Sequence, residues 1–231
     1  MKKQTQRRLH RWLGLIFSLS ILAFATSGML HILMTYTQEP PPPARPSGGF
    51  LDPSKIIIPP AAGMKNLPAD FGQVRAINLR LIGGEPWYQI YGSGGVPAYI
   101  SATDGRLDPS QDESYAAEIA SAYLGGAAVQ KTDYLTTFNR EYINIFRVLP
   151  VYRFDANDKA GTRVYVSTVT GNVTRHTDDG RQLEANIFSN FHKLAFIPNK
   201  QTRDIALTTI TVGVILASIT GIALFFTTRK H

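Results

Sequence analysis

The sequence predicts an α+β fold, with tandem antiparallel sheet units and one packing helix anchored by two transmembrane α-helices. Three observations carry this. Two apolar runs, Trp12 to Met34 and Ile205 to Thr227, contain no Asp, Glu, Lys or Arg, and roughly 20 helical residues suffice to cross a hydrocarbon core. Between the runs, short strand-like stretches surround a single well-signalled helix. Two of those stretches copy one another at an offset of 64 residues that widens to 66, the mark of an internal repeat.

Charge follows the same division. The chain holds 24 Lys and Arg against 17 Asp and Glu. Lys2, Lys3, Arg7, Arg8 and Arg11 before the first run, with Arg229 and Lys230 after the second, account for the whole excess. The segment between the runs is balanced, so the pI of about 9.7 describes two tails and gives no support for nucleic-acid binding. Basic flanks stay on the cytoplasmic side. Both termini are therefore expected inside and the middle outside, which in a bacterium means an inner-membrane protein with a periplasmic central domain. With no cysteine, disulfides and thiolate chemistry are excluded. Ala23-Phe24-Ala25 imitates a signal-cleavage site, but apolar residues continue well past it, and the first run reads as a retained helix.

The expected order is a cytoplasmic tail (1–11), a first span (12–34), a proline-rich linker (35–60), a first repeat (61–109), a second repeat (110–180), an amphipathic juxtamembrane segment (181–204), a second span (205–227) and a short tail (228–231). The linker carries Glu39-Pro40-Pro41-Pro42-Pro43-Ala44-Arg45-Pro46, an extended polyproline spacer. Strands are expected around Val74 to Leu81, Trp87 to Tyr91 and Ala98 to Ser101, with glycine pairs and Asp104-Gly105 at the turns. Ser110-Gln111-Asp112-Glu113 reads as a capping box opening a helix with Ala116, Ile119, Ala120 and Tyr123 on one face, stopped by Gly125-Gly126. Tyr134 to Val148, Val151 to Phe154, Thr162 to Ser167 and a short stretch to about Arg175 follow as strands. Leu183, Ile187, Phe191 and Leu194 then form an apolar helical stripe, suited to a membrane interface or to the underside of a sheet.

The repeat is explicit. Pro86-x-Tyr88, Tyr99-x-Ser101 and Gly105 recur as Pro150-x-Tyr152, Tyr165-x-Ser167 and Gly171, and the closing glycine suits a positive φ. The second copy, with Val164-Tyr165-Val166-Ser167 running into Thr170-Gly171-Asn172-Val173 after an alanine-rich helix, resembles the PepSY domain; Ser167 stands where that family usually has an acid. The first copy is similar but lacks a long helix. At the ends, Leu9-His10-Arg11-Trp12-Leu13-Gly14, Ser27-Gly28-Met29-Leu30, Phe191-His192-Lys193-Leu194 and Thr220-Gly221-Ile222 resemble the wider PepSY-associated transmembrane family. That resemblance implies PepSY-like units on a membrane anchor. It further implies an accessory or electron-transfer role in iron or siderophore reduction or uptake, with haem b held by histidines.

His10, Gly14, Phe17, Ile21, Phe24, Gly28 and His31 alternate in steps of four and three, so one helix face carries a histidine near each end. His192 precedes the second span and His231 ends the chain. A b-type haem needs two imidazoles and small residues beside the ring, which makes His31 with His192, and His10 with His231, candidate cofactor-binding pairs. The plainer alternative is that interfacial histidines merely sit where headgroups tolerate polar tips, and that Gly213, Ala217 and Gly221 mark helix packing or a homodimer. No hydrolase or phosphate-binding motif is present. Asp112-Glu113 and Asp178-Asp179 read as solvated acids, and no metal site beyond haem iron is expected. The resemblance also implies a competing reading, a non-catalytic module that binds or restrains a partner protein such as a protease, with Trp87, Tyr88, Tyr91 and Tyr99 as its contact surface.

Overall fold

The computed structural model describes residues 3–43, 49–93, 95–146 and 148–228, which form two compact units, residues 1–39 with 180–231 and residues 40–179. The predicted α+β composition is present. Two long apolar helices, α1 (Lys3–Thr37) and α5 (Lys200–Thr228), belong to the first unit. Both extend past their apolar runs because nothing in Lys3 to Arg11 or Lys200 to Asp204 breaks a helix: neither stretch holds Gly or Pro.

The second unit holds a three-stranded sheet ordered β1-β2-β3 and a four-stranded sheet ordered β4-β5-β6-β7, both antiparallel. The strands are β1 (Ala76–Ile82), β2 (Glu85–Tyr91), β3 (Ala98–Ser101), β4 (Val129–Leu135), β5 (Val151–Ala156), β6 (Arg163–Ser167) and β7 (Asn172–Thr177). The repeat seen in sequence is a repeat in register. Tyr88 pairs with Ile100 and Gln89 with Tyr99, while Tyr152 pairs with Val166 and Arg153 with Tyr165. Gly105 and Gly171 close their copies at φ +78° and +67°, backbone that a β-carbon would strain.

What covers each copy explains why the first looked helix-poor. In the second copy, α3 (Gln111–Tyr123) lies over Phe154, Val164 and Val166. In the first, Tyr88, Ile90 and Ile100 are covered by a single helical turn, α2 (Pro60–Gly63), its following 3₁₀ turn, and Ile56. Ile57 and Ile58 both donate backbone N–H to the Ala102 carbonyl, so the chain joins the fold inside the stretch expected to be linker. The opposite face of the first sheet, with Ile82, Trp87 and Tyr99, packs on α3 as well. One helix thus serves two sheets. Tyr115, Ala116, Ile119, Ala120 and Tyr123 are all buried, at about 1.5–3 kcal/mol for each large side chain.

Two local readings need correction. The capping box does not form: Ser110 makes no side-chain cap, Glu113 pairs with Lys131 at 2.5 Å, and Asp108 accepts from the Ser110 N–H and hydroxyl and from Gln111 Nε2. The strand expected over Tyr134 to Val148 instead covers Val129–Leu135. Its polar middle, Gln130 to Asp133, is exposed on a sheet edge. In the loop beyond, Asn139 Oδ1 accepts the N–H groups of Glu141 and Tyr142 at 2.9 and 2.6 Å, which turns the chain so that Tyr142 stacks on Tyr165 at 4.8 Å.

Asp112 is buried at the start of α3, not solvated. It accepts from Tyr99 Oη of the first sheet at 2.7 Å and from Tyr152 Oη of the second at 2.9 Å. Gln89 Nε2 donates to Tyr99 Oη at 2.7 Å, and Arg80 Nε holds the Gln89 carbonyl oxygen at 2.9 Å. Asp112→Ala is expected to destabilise this unit by about 2–5 kcal/mol, because it strands two buried hydroxyls. Tyr99→Phe should cost about 1 kcal/mol, and the double substitution should fall short of the sum in urea unfolding followed by circular dichroism.

Burial pushes the Tyr99, Tyr152 and Tyr165 hydroxyls up, and Tyr91 to about 12. An unfolded tyrosine ionises near pH 10. The stability these groups contribute is therefore complete below about pH 10 and is lost as pH rises toward the folded values. Tyrosinate absorbance should show part of the ten tyrosines ionising only together with unfolding.

Candidate functional site

Within the first unit, α1 and α5 pack antiparallel through small residues. A β-carbon at Gly213 would run into the Phe17 ring, and one at Gly221 would lie 2.9 Å from His10 Cε1. His10 Nδ1 is 3.0 Å from the Ala217 carbonyl oxygen and 3.1 Å from Thr220 Oγ1. Thr220 Oγ1 already donates along its own helix to Leu216 and Ala217. His10 therefore works as a packing residue whose polar edge meets the backbone of α5, where apolar surroundings would leave it unsatisfied. Gly213 and Gly221, read as marking helix packing or a homodimer, are met by Phe17 and His10 of the same chain. His231, the partner foreseen for His10, lies outside the described residues.

The other two candidates come together. α4 (Asp179–Lys193) lies along α1 and presents Glu184, Phe188 and His192, one turn apart, to it. His31 Nδ1 bonds Glu184 Oε1, and Gln38 Nε2 donates to the other Glu184 oxygen at 3.3 Å. His192 Nδ1 lies 3.3 Å from Ser27 Oγ, and its ring is 5.4 Å from Phe24. Phe188 packs against both imidazoles, tilted to His31 at 4.7 Å and stacked on His192 at 4.6 Å. The α4 surface in contact is thus the one beside the predicted stripe; Leu183 and Phe191 remain exposed. Glu184, 153 residues from His31, carried no local signal that could have paired the two.

These residues match a haem in one respect and not in another. Each Nδ1 is held, leaving Nε2 without a hydrogen-bond partner among the described residues, the arrangement usual for an imidazole that ligates metal. A β-carbon at Gly28 would meet nothing within 4 Å. Yet both imidazoles lie against the phenyl ring of Phe188 with interplanar angles of 32° and 13°, whereas axial ligands point their ring edges at iron. As arranged, the pair does not fit a macrocycle: Phe188 would have to leave and both rings turn.

The aromatic strand residues foreseen as a contact surface are mostly core. Trp87, Tyr88 and Tyr99 are buried, and Tyr91 donates to the Thr168 carbonyl oxygen at 3.1 Å. Exposed apolar side chains of this unit include Phe50, Ile57 and Val96 and, on the loop after β4, Phe138, Ile143 and Ile145, the last three 40%, 44% and 67% exposed.

The model of the PepSY-associated TM region matches residues 7–231. The chain belongs to this family. No curated protein and no solved structure matches it. The matched region takes in both apolar runs and every histidine, and contact of the two apolar helices with the lipid bilayer follows. The helix pair is tested directly: cysteines placed at His10 and Gly221 of this cysteine-free chain should form a disulfide in lipid, and adding Gly213→Leu should cut the yield severalfold by driving a side chain into Phe17.

Proposed function

We propose that this protein is a non-catalytic accessory component of a bacterial inner membrane, with both termini cytoplasmic and a periplasmic PepSY unit that binds or restrains a partner protein. The orientation is supported by the basic residues at the two outer flanks of an antiparallel helix pair. Protease added to spheroplasts should cleave between the two spans and leave the amino terminus intact.

The observation that carries the binding role is the exposed loop after β4. Phe138, Ile143 and Ile145 are large apolar side chains held in water by a turn fixed through Asn139. Three exposed large apolar side chains on one loop make it a candidate interaction surface. A photo-crosslinking amino acid at Ile145 should trap one defined protein in intact cells, while the same group at exposed Lys159 should not. Equal labelling at both positions, or none at Ile145, contradicts the role.

A second reading, haem-b electron transfer serving iron or siderophore reduction, is favoured by one observation: the Nδ1 atoms of His31 and His192 are held while Nε2 stays available. It requires Phe188 to move. Protein purified from haem-replete cells should then show a Soret band that His31→Ala removes; a colourless preparation excludes it.

A further inference from the structure

We propose that the cavity beside β7 around Arg175 is a carboxylate-binding site, taking an acidic side chain or a chain-terminal carboxylate of the partner protein. The partner-binding reading supplies only the source of that carboxylate; the site stands on its own geometry.

The cavity, about 250 Å³, is walled by Tyr123, Phe146, Val173, Arg175 and His176. Arg175 is placed there by the β6–β7 register, opposite Tyr165 beside a bulge. Its guanidinium lies over the Phe146 ring, 4.6 Å from the centroid, and Nε is buried with no hydrogen-bond partner among the described residues. Among the described residues, the other partly buried arginines of this unit are all engaged. Arg80 bonds Gln89, Arg153 grips Asp155 with two nitrogens, and Arg163 reaches Glu141 and Asp179. Glu141, whose charge acts on Arg175, is already bonded by Arg163 at 3.0 Å and by the Tyr165 hydroxyl at 2.6 Å.

A partly buried guanidinium without a hydrogen-bonded counter-charge is costly to keep, and an unsatisfied buried donor calls for a missing partner. Burial draws Arg175 below the usual arginine range, as expected where a charge lacks its complement. Phe146 lies under the guanidinium and Nε is shut off from solvent, which leaves the two terminal nitrogens, a planar pair of donors that matches a carboxylate, as the part a ligand meets. One positive charge balances a carboxylate and would leave a phosphate dianion in excess. The aromatic and aliphatic walls suit the methylene stem of an acidic side chain. The volume of about 250 Å³, open to solvent, is enough for such a stem with its carboxylate.

The test uses the full chain in lipid nanodiscs, reading the Nε–Hε resonance of Arg175, assigned by its loss in Arg175→Gln. Probes are sodium acetate, a capped dipeptide with an aspartate side chain, a capped dipeptide with a free carboxyl terminus, and the amide analogue of each dipeptide. The expected result is a saturable shift with at least one carboxylate dipeptide and none with the amides. Arg175→Lys, read through the Phe146 ring resonances, should bind at least about tenfold more weakly because the fork is lost. Circular dichroism and melting checks that Arg175→Gln and Arg175→Lys fold; if neither does, Phe146→Leu supplies the loss-of-binding arm. A response to the aspartate dipeptide alone, or to the terminal one alone, identifies the source. Acetate binding as tightly as either dipeptide overturns the protein source, and no saturable shift with any carboxylate overturns the site. Crosslinking at Ile145 is independent of these outcomes, so failure of the site and failure of the partner-binding reading are distinguishable.

Discussion

A single buried carboxylate ties the two repeats into one body. Asp112 sits at the start of the only long helix in the central unit's described residues and receives one tyrosine hydroxyl from each sheet. In an interior of low polarity, such a group is tolerated only when its oxygens are satisfied. Neither sheet can therefore part from α3 without stranding a polar group. The apolar contacts act in the same sense, since Trp87 and Tyr99 from one side and Phe154 and Val166 from the other converge on the same helix.

This arrangement explains how a degenerate repeat persists without its own long helix. The inner face of the first copy is closed by α2 and neighbouring residues, and its outer face borrows the helix of the second copy. Corresponding residues accordingly face opposite ways relative to α3. Tyr152 points to it and Tyr88 away, while Tyr99 points to it and Tyr165 away. Divergence of the two copies follows from that inversion, because each position meets a different neighbour.

The legible features were those written in local pattern. The apolar runs needed only length and composition, and the matched strand pairs with their closing glycines, Gly105 and Gly171, were visible as an offset. Three things were not. Acids at a helix start normally face water, so nothing local marked Asp112 as buried. Residues 130–133 looked too polar for a strand because they form an exposed edge, whereas Tyr142 and Phe146 imitated one while folding back over Tyr165. The histidines were found by helical spacing, but their surroundings depend on contacts across the sequence: Glu184 with His31, Phe188 with His31 and His192, Thr220 with His10. Those contacts give His10 a structural role and leave His31 and His192 poised around a phenyl ring.

Native-state hydrogen exchange of the full chain in lipid most directly tests whether the two repeats form one body. Amides of β2–β3 and β5–β6 should open with the same free energy and respond equally to denaturant, as parts of one cooperative unit. Exchange of β1–β3 at markedly lower free energy, with β4–β7 and α3 still protected, would contradict a shared helix and leave two independent domains in its place.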